Sequence, residues 1–289
     1  MNQTDDQKRG DLLSNNTTAT DGFSKYSIGD LKINPGLVLA PMSGVTTSPF
    51  RRLIKELNPG CVGLVITEFV SVEGMTRMAR KTLEMMRYRE EERPFGIQIF
   101  GYDIGRMRDA ALMVQDAGAD LVDINCGCPA PKVVRKGGGA ELMRQPQHLS
   151  KIFNEVRKAI KIPLTMKMRS GWDDNSRNCL EVAKIAEKEG VQGITIHGRT
   201  RAQLYRGIAD WEWVQRAASE VSIPVCGSGD ICDRNSALER LNRDGIVGGY
   251  IGRAAMYNPY VFSEICGREV PNLRTDALKA IDVLWRYLE

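Results

Sequence analysis

Ala119-Asp120-Leu121-Val122-Asp123-Ile124-Asn125-Cys126-Gly127-Cys128-Pro129 is an apolar run that stops in a carboxamide, two thiols, a glycine and a proline. Ala119, Leu121, Val122 and Ile124 make residues 119–124 a short, largely aliphatic run, as a strand buried on both faces needs. The polar stop reads as a loop. A strand that ends in a loop carrying a thiol and a carboxamide is what the C-terminal rim of an α/β barrel uses for chemistry.

The same alternation extends in both directions. Further strand candidates are 37–40, 62–67, 95–99, 163–167, 193–197, 223–226 and 249–251, which with 121–124 make eight. Between them lie stretches with helical spacing. Residues 104–117 place Met107, Ala110, Ala111 and Val114 on one face, 149–160 repeat the pattern with Ile152, Phe153 and Val156, and 180–189 do so before Gly190. Eight strand–helix alternations predict a parallel sheet closed as a (β/α)8 TIM barrel. The alternative, a doubly wound open sheet, usually carries a glycine-rich first turn, whereas the first turn here is Ala40-Pro41-Met42-Ser43-Gly44.

Length and composition agree with one such domain. The chain has 289 residues, 42% hydrophobic and 26% charged, with a formal net charge of +4. That is enough to bury a large core without staples. The seven cysteines show no CxxC pair and no zinc-ligand spacing, so reduced thiols, no metal and a cytoplasmic location are expected. No apolar run is long enough to span a membrane, and the polar N-terminus has no signal-peptide pattern. Residues 1–24 are rich in Asn, Thr, Asp and Ser and predict a disordered tail before a catalytic domain over 25–268. A last helix begins near Thr275 and runs to Glu289 without a cap, so a further segment is expected to follow.

The strand ends carry the chemistry. Pro41, Met42 and Ser43 end the first strand, Gln98 the third, Asn125, Cys126 and Cys128 the fourth, Lys167 and Arg169 the fifth, and His197, Arg199 and Arg201 the sixth. Gly227-Ser228-Gly229-Asp230 follows the seventh and Gly252-Arg253 the eighth. These last two loops suit a phosphate, because glycine lets backbone N–H groups approach an anion and arginine adds a charged fork. Lys167 suits either a Schiff-base nucleophile or a cation facing an electron-rich ring. A thiol of ordinary pKa can donate a proton as well as attack, but the bend at Gly127 leaves open which of Cys126 and Cys128 faces the site.

In order along the chain, the pieces resemble the flavin-dependent tRNA-dihydrouridine synthases. The resemblance rests on Ala40-Pro41-Met42, Thr47-Ser48-Pro49-Phe50-Arg51, Ile97-Gln98-Ile99-Phe100-Gly101, Asp123-Ile124-Asn125-Cys126-Gly127-Cys128-Pro129 and Arg135-Lys136-Gly137-Gly138-Gly139. It continues through Lys167-Met168-Arg169-Ser170-Gly171-Trp172, His197-Gly198-Arg199-Thr200, Gly227-Ser228-Gly229-Asp230-Ile231 and Ile251-Gly252-Arg253, and covers roughly residues 27–265. The family implies FMN as cofactor and NADPH as transient reductant. It implies that Pro41, Met42, Ser43, Gln98, Lys167 and His197 contact the flavin. Ser228, Gly229, Asp230, Gly252 and Arg253 would hold its phosphate.

By the same resemblance Cys128 is the proton donor and Asn125 orients the uracil, while Arg169, Arg199, Arg201, Lys132, Arg135 and Lys136 form a basic rim for tRNA. Residues 269–289 would begin a helical tRNA-binding domain, and the protein would act as a monomer. Two positions depart from the pattern: Ser228 stands where asparagine is common, and Cys126 is an additional thiol. The competing readings are an FMN barrel acting on a free pyrimidine, in the manner of a dihydroorotate dehydrogenase, a Lys167 lyase, and a tRNA-binding module without catalysis.

Overall fold

A computed structural model describes residues 23–288. The chain opens with an antiparallel hairpin, β1 (Tyr26–Ile28) and β2 (Leu31–Ile33). The barrel strands follow: β3 (Leu37–Leu39), β4 (Leu64–Ile66), β6 (Phe95–Phe100), β7 (Leu121–Cys126), β8 (Leu164–Arg169), β9 (Gly193–His197), β10 (Val225–Ser228) and β11 (Ile246–Ile251). A two-residue strand, β5 (Val70–Ser71), adds to the upper end of β6. Each barrel strand pairs in parallel with the next, and the β11–β3 and β4–β6 pairings close the ring. The expected (β/α)8 barrel is therefore the observed fold, and all eight strand expectations coincide with barrel strands.

Alternation along the strands divides two apolar clusters. Val38, Leu64, Ile66, Leu121, Cys226 and Tyr250 form one cluster with Tyr26, Ile28 and Ile33 of the hairpin. Leu37, Leu39, Val65, Val122, Ile124 and Cys126 belong to the larger cluster shared with the helices. On β7 the two sets alternate strictly, as a period of two requires. Cys126 has the parity of Val122 and Ile124, is fully buried, and has its thiol pushed well up by burial. The additional thiol is thus a packing residue between sheet and helices.

The helices Ile104–Asp116, Pro146–Ala159 and Cys179–Lys188 bury the stripes read from the sequence. The helix Ser48–Leu57 carries a buried ion pair, Arg51 Nε to Glu92 Oε2 at 2.6 Å, with side chains 1% and 0% exposed. Arg51 also donates to Thr46 O and Arg87 O, and Glu92 also accepts from Ser48 Oγ and Arg89 N, so both charges are fully engaged. The last helix, Ala277–Leu288, packs on Ser48–Leu57 through an edge-to-face contact of Phe50 and Tyr287 and an Arg286–Glu56 ion pair. Its outer face exposes Leu278, Ile281, Leu284, Trp285 and Leu288.

The expected tail falls almost wholly outside the described residues. Phe23, which that expectation included, is buried against the main core. No helix of the described residues is long and apolar enough to cross a membrane.

Candidate active site

The C-terminal ends of the strands surround a cavity of about 1120 Å³. Pro41, Met42 and Ser43 line it from β3, Gln98 from β6, Asn125 and Cys128 from β7, and Lys167 and Arg169 from β8. His197, Ser228, Gly229, Asp230, Gly252 and Arg253 line it from the ends of β9, β10 and β11. Of the expected site residues, Arg199, Arg201 and Lys136 do not line it.

Beneath the cavity, register brings polar side chains to one height. Gln98 pairs with Asp123 and Asp123 with Thr165 across β6, β7 and β8. Gln98 Nε2 donates to Asp123 Oδ2 at 2.6 Å, and Thr165 Oγ1 donates to Asp123 Oδ1 at 2.6 Å. One step higher, Asn125 Nδ2 donates to Gln98 Oε1 at 2.8 Å. Asn125 Oδ1 accepts from Gly127 N at 3.1 Å and Cys128 N at 2.9 Å, which fixes the bend after β7. Past that bend Cys128 is half-buried on the cavity wall. Burial raises its thiol pKa, outweighing the Ala130 N–H and the charges of Arg169 and Lys132, so the thiol keeps its proton at neutral pH.

The neighbouring strands, β8 and β9, bring basic side chains. Burial and the neighbouring Arg169 lower Lys167 to about 8, and Asp123 only partly offsets them. Burial, then the charges of Lys167, Arg169, Arg199 and Arg253, hold His197 well below the usual imidazole range. It is therefore neutral. Its Nδ1 accepts from Arg199 N at 3.1 Å, so the proton sits on Nε2, beside Gly229.

Two of the arginines expected on an RNA rim are buried and bonded within the protein. Arg169 is 4% exposed and donates to the carbonyls of Gly127, Thr200 and Leu204. Arg199 is 3% exposed, donates to Arg206 O and Gly207 O, and pairs with Asp230. Their planar forks are taken up inside the protein, which leaves no free donor array for a solvent-side phosphate. Arg201 is half-buried and stacks on Trp172 at 4.6 Å, with Arg144 over the same ring at 4.7 Å. Lys136 is exposed with Lys132 and Arg135 in the segment after Cys128, as a rim requires.

The loops after β10 and β11 form the end suited to an anion. Gly229 has φ +116°, and a Cβ there would lie 2.7 Å from Ala209 Cβ, so this backbone position is reserved for glycine. A Cβ on Gly252 would meet Met42 Sδ at 3.4 Å. Arg253 is 48% exposed; among the described residues it has one long ion pair, to Asp230 at 3.6 Å, and lies over the Tyr205 ring, so most of its donors remain available. The Asp230 side chain does not suit an anion-holding role. Burial would raise its pKa, but the Ala209 N–H and the Arg199 guanidinium hold it below the usual carboxylate range, so it is an anion that organises the loop. Ser228 Oγ is turned to Tyr250 O.

Sequence reasoning passed over three groups. In the sequence Asp123 reads as part of an apolar strand. Tyr205 stands 57% exposed on the mouth between Arg169 and Arg253, 5.8 and 4.7 Å from its ring centroid. Arg274 lines the cavity from beyond the barrel. Alternation marks Asp123 as inward-facing, but no local signal places Tyr205 or Arg274. Among the described residues no group of three or more His, Cys, Asp or Glu is placed to hold a metal ion.

Comparison with known proteins agrees with this arrangement. The family model described as dihydrouridine synthase matches residues 38–283. A probable tRNA-dihydrouridine synthase of Rickettsia bellii is 41% identical over 239 residues, 82% of this chain and 72% of that protein. The tRNA-dihydrouridine synthase B of Pseudomonas syringae pv. tomato is 40% identical over 264 residues, 90% and 77% of the two chains. A solved 2-naphthoyl-CoA reductase complex shares the fold at TM-score 0.62 and 15% identity, covering 84% of this chain and 52% of that one. The barrel, the cavity at its C-terminal face and a match over nearly the whole described chain show that this protein belongs to the dihydrouridine synthase family.

Proposed function

We propose that this protein reduces the C5=C6 bond of uridine in tRNA, with FMN in the cavity and Cys128 as proton donor. The observation that carries the reading is the meeting in one cavity of a protonated thiol, a floor of carboxamide donors and a half-exposed arginine beside a glycine reserved for close approach. A cavity of about 1120 Å³ exceeds the roughly 300–1,000 Å³ of an ordinary single-ligand site and has room for two ring systems. The residues also fit FMN in kind. Gly229, Gly252 and Arg253 suit its phosphate, and Lys167, Gln98 and the Nε2–H of His197 suit its carbonyl and ring nitrogen acceptors. When bound and reduced by NADPH, FMN would supply the hydride for C6.

The protein's own residues do the rest. Cys128 donates its proton to C5, a step that needs the neutral thiol which burial preserves. Asn125, already tied to Gln98 and to the Cys128 loop, keeps a second N–H for a uracil carbonyl. Lys132, Arg135, Lys136 and Arg144 supply exposed charge for the RNA backbone, with Arg201 and Trp172 stacked beside them. The uridine must leave its stack to enter the cavity, and the exposed ring of Tyr205 offers it a stacking partner at the mouth. Family membership favours this reading over a Schiff-base role for Lys167. The test is mass spectrometry of tRNA from cells lacking their own synthases and expressing this chain or its Cys128→Ala variant. Dihydrouridine should form with the first and not the second. Its absence with the first, or its persistence with the second, would overturn the proposal.

A further inference from the structure

The polar floor under the cavity has a direction. Asp123 is wholly buried, yet among the described residues it carries no counter-charge in direct contact. Its carboxylate is an acceptor only, and it stands at one end of a chain of hydrogen bonds. At the other end stand the N–H groups of Gly127 and Cys128, which are donors only. Between these ends the two carboxamides have one self-consistent orientation. Gln98 must turn its nitrogen to Asp123 and its oxygen to Asn125; Asn125 must then turn its nitrogen to Gln98 and its oxygen to the Cys128 loop. Reversing either amide sets donor against donor or acceptor against acceptor in a buried place, at the cost of unmade hydrogen bonds.

We propose that Asp123 is a positioning residue: its carboxylate orients the Gln98 and Asn125 carboxamides and, through Asn125, holds the loop that carries Cys128. A consequence follows for binding. Each amide nitrogen makes one hydrogen bond among the described residues and keeps a second N–H, and both residues line the cavity. The floor therefore offers donors and suits ring carbonyls rather than ring amino groups. Burial raises Asp123 to about 6, with the Gln98 and Thr165 hydrogen bonds and the charge of Lys167 opposing it, so it is ionised and acceptor-only at pH 7.5. The consequence for ring carbonyls rests on the proposed reduction of uridine; the hold on the loop does not.

The experiment reads the loop directly and needs neither RNA nor turnover. Iodoacetamide labelling of Cys128 is timed by peptide mass spectrometry on the full chain as purified, with flavin content measured in the same sample. Asp123→Leu removes the acceptor, and Asn125→Ala removes the link. Each should speed labelling by about five- to thirty-fold, the factor carried by one or two lost hydrogen bonds. The double variant should label no faster than the faster single one, because both act on the same link. Asp123→Asn should stay near the parent rate. Thr165 Oγ1 can turn its hydrogen to Val122 O, 3.4 Å away, accept from the new amide and leave its oxygen facing Gln98.

A folded Asp123→Leu that labels at the parent rate would overturn the proposal, as would effects that multiply in the double variant. If Asp123→Leu does not fold, Asp123→Asn with Thr165→Val serves instead, since it removes the preference for either amide orientation. Faster labelling there supports the proposal and an unchanged rate overturns it. A parent chain that forms no dihydrouridine would sink the functional reading while leaving these rates interpretable.

Discussion

The Arg51–Glu92 pair gives the sharpest quantitative prediction. Both side chains are essentially inaccessible, and the guanidinium also lies over the Phe95 ring at 4.9 Å. Arg51→Met keeps most of the apolar stem but leaves the Glu92 carboxylate buried with, among the described residues, Ser48 Oγ and Arg89 N as donors. Breaking a buried pair in this way costs about 3–5 kcal/mol. For a domain of this size that corresponds to roughly 6–20 °C in melting temperature.

Adding Glu92→Leu removes the stranded charge, so the double variant should be more stable than Arg51→Met by about 1 kcal/mol or more. Urea unfolding followed by circular dichroism and by tryptophan fluorescence measures this, with coincident transitions required before the cycle is used. The pair also reaches the site. Arg51 donates to Thr46 O at 2.7 Å, and Thr46 Oγ1 receives Met42 N at 3.0 Å, so the loop of Pro41, Met42 and Ser43 hangs from this arginine. The double variant should therefore regain stability without regaining flavin retention. A loss below about 1 kcal/mol in Arg51→Met, or a double variant no more stable than the single one, would refute the reasoning.

Three further outcomes are expected. Lys167 has a folded pKa of about 8 against 10.5 for the free side chain, so between these values the unfolded chain binds a proton that the folded one lacks; parent stability should rise with pH through that window. Lys167→Met should flatten this rise, and parallel urea midpoints for the two proteins at pH 7.5 and 10 would count against the assignment. Cys128 should label with iodoacetamide more slowly than the exposed Cys232 at pH 8, the gap narrowing as pH rises, because burial keeps the Cys128 thiol protonated. Arg253→Ala should lower the flavin retained on purification while changing stability by less than about 1 kcal/mol, since its one ion pair among the described residues is long and half-exposed; full flavin content in that variant would remove the phosphate role.

Much of the fold was legible because a parallel barrel strand is covered on both faces and so writes itself as a short apolar run between polar stops. The β1–β2 hairpin escaped notice because three-residue strands carry too little pattern, although Ile28 and Ile33 help fill the barrel interior. At the site, the strand-end rule located Gln98, Asn125, Cys128, Lys167 and His197 by position alone. It gave no sign that Arg169, which lines the cavity, and Arg199, which does not, are both buried. An arginine at a strand end reads as a rim charge, and only the neighbouring loops, with carbonyls from Gly127 to Gly207, make it a buried brace.

The sequence by itself determined the barrel, the mouth and the cast of residues standing there, because burial pattern and strand ends are local properties of the chain. The tertiary structure alone decided their roles. Which of two thiols faces the cavity depended on where β7 bends, and the bend is set by an amide that Gln98 holds from the next strand. Which amide atoms face a ligand depended on a carboxylate anchored between three strands. Donor and acceptor polarity belongs to pairs of groups brought together by register, and register across strands is written in no single stretch of the chain.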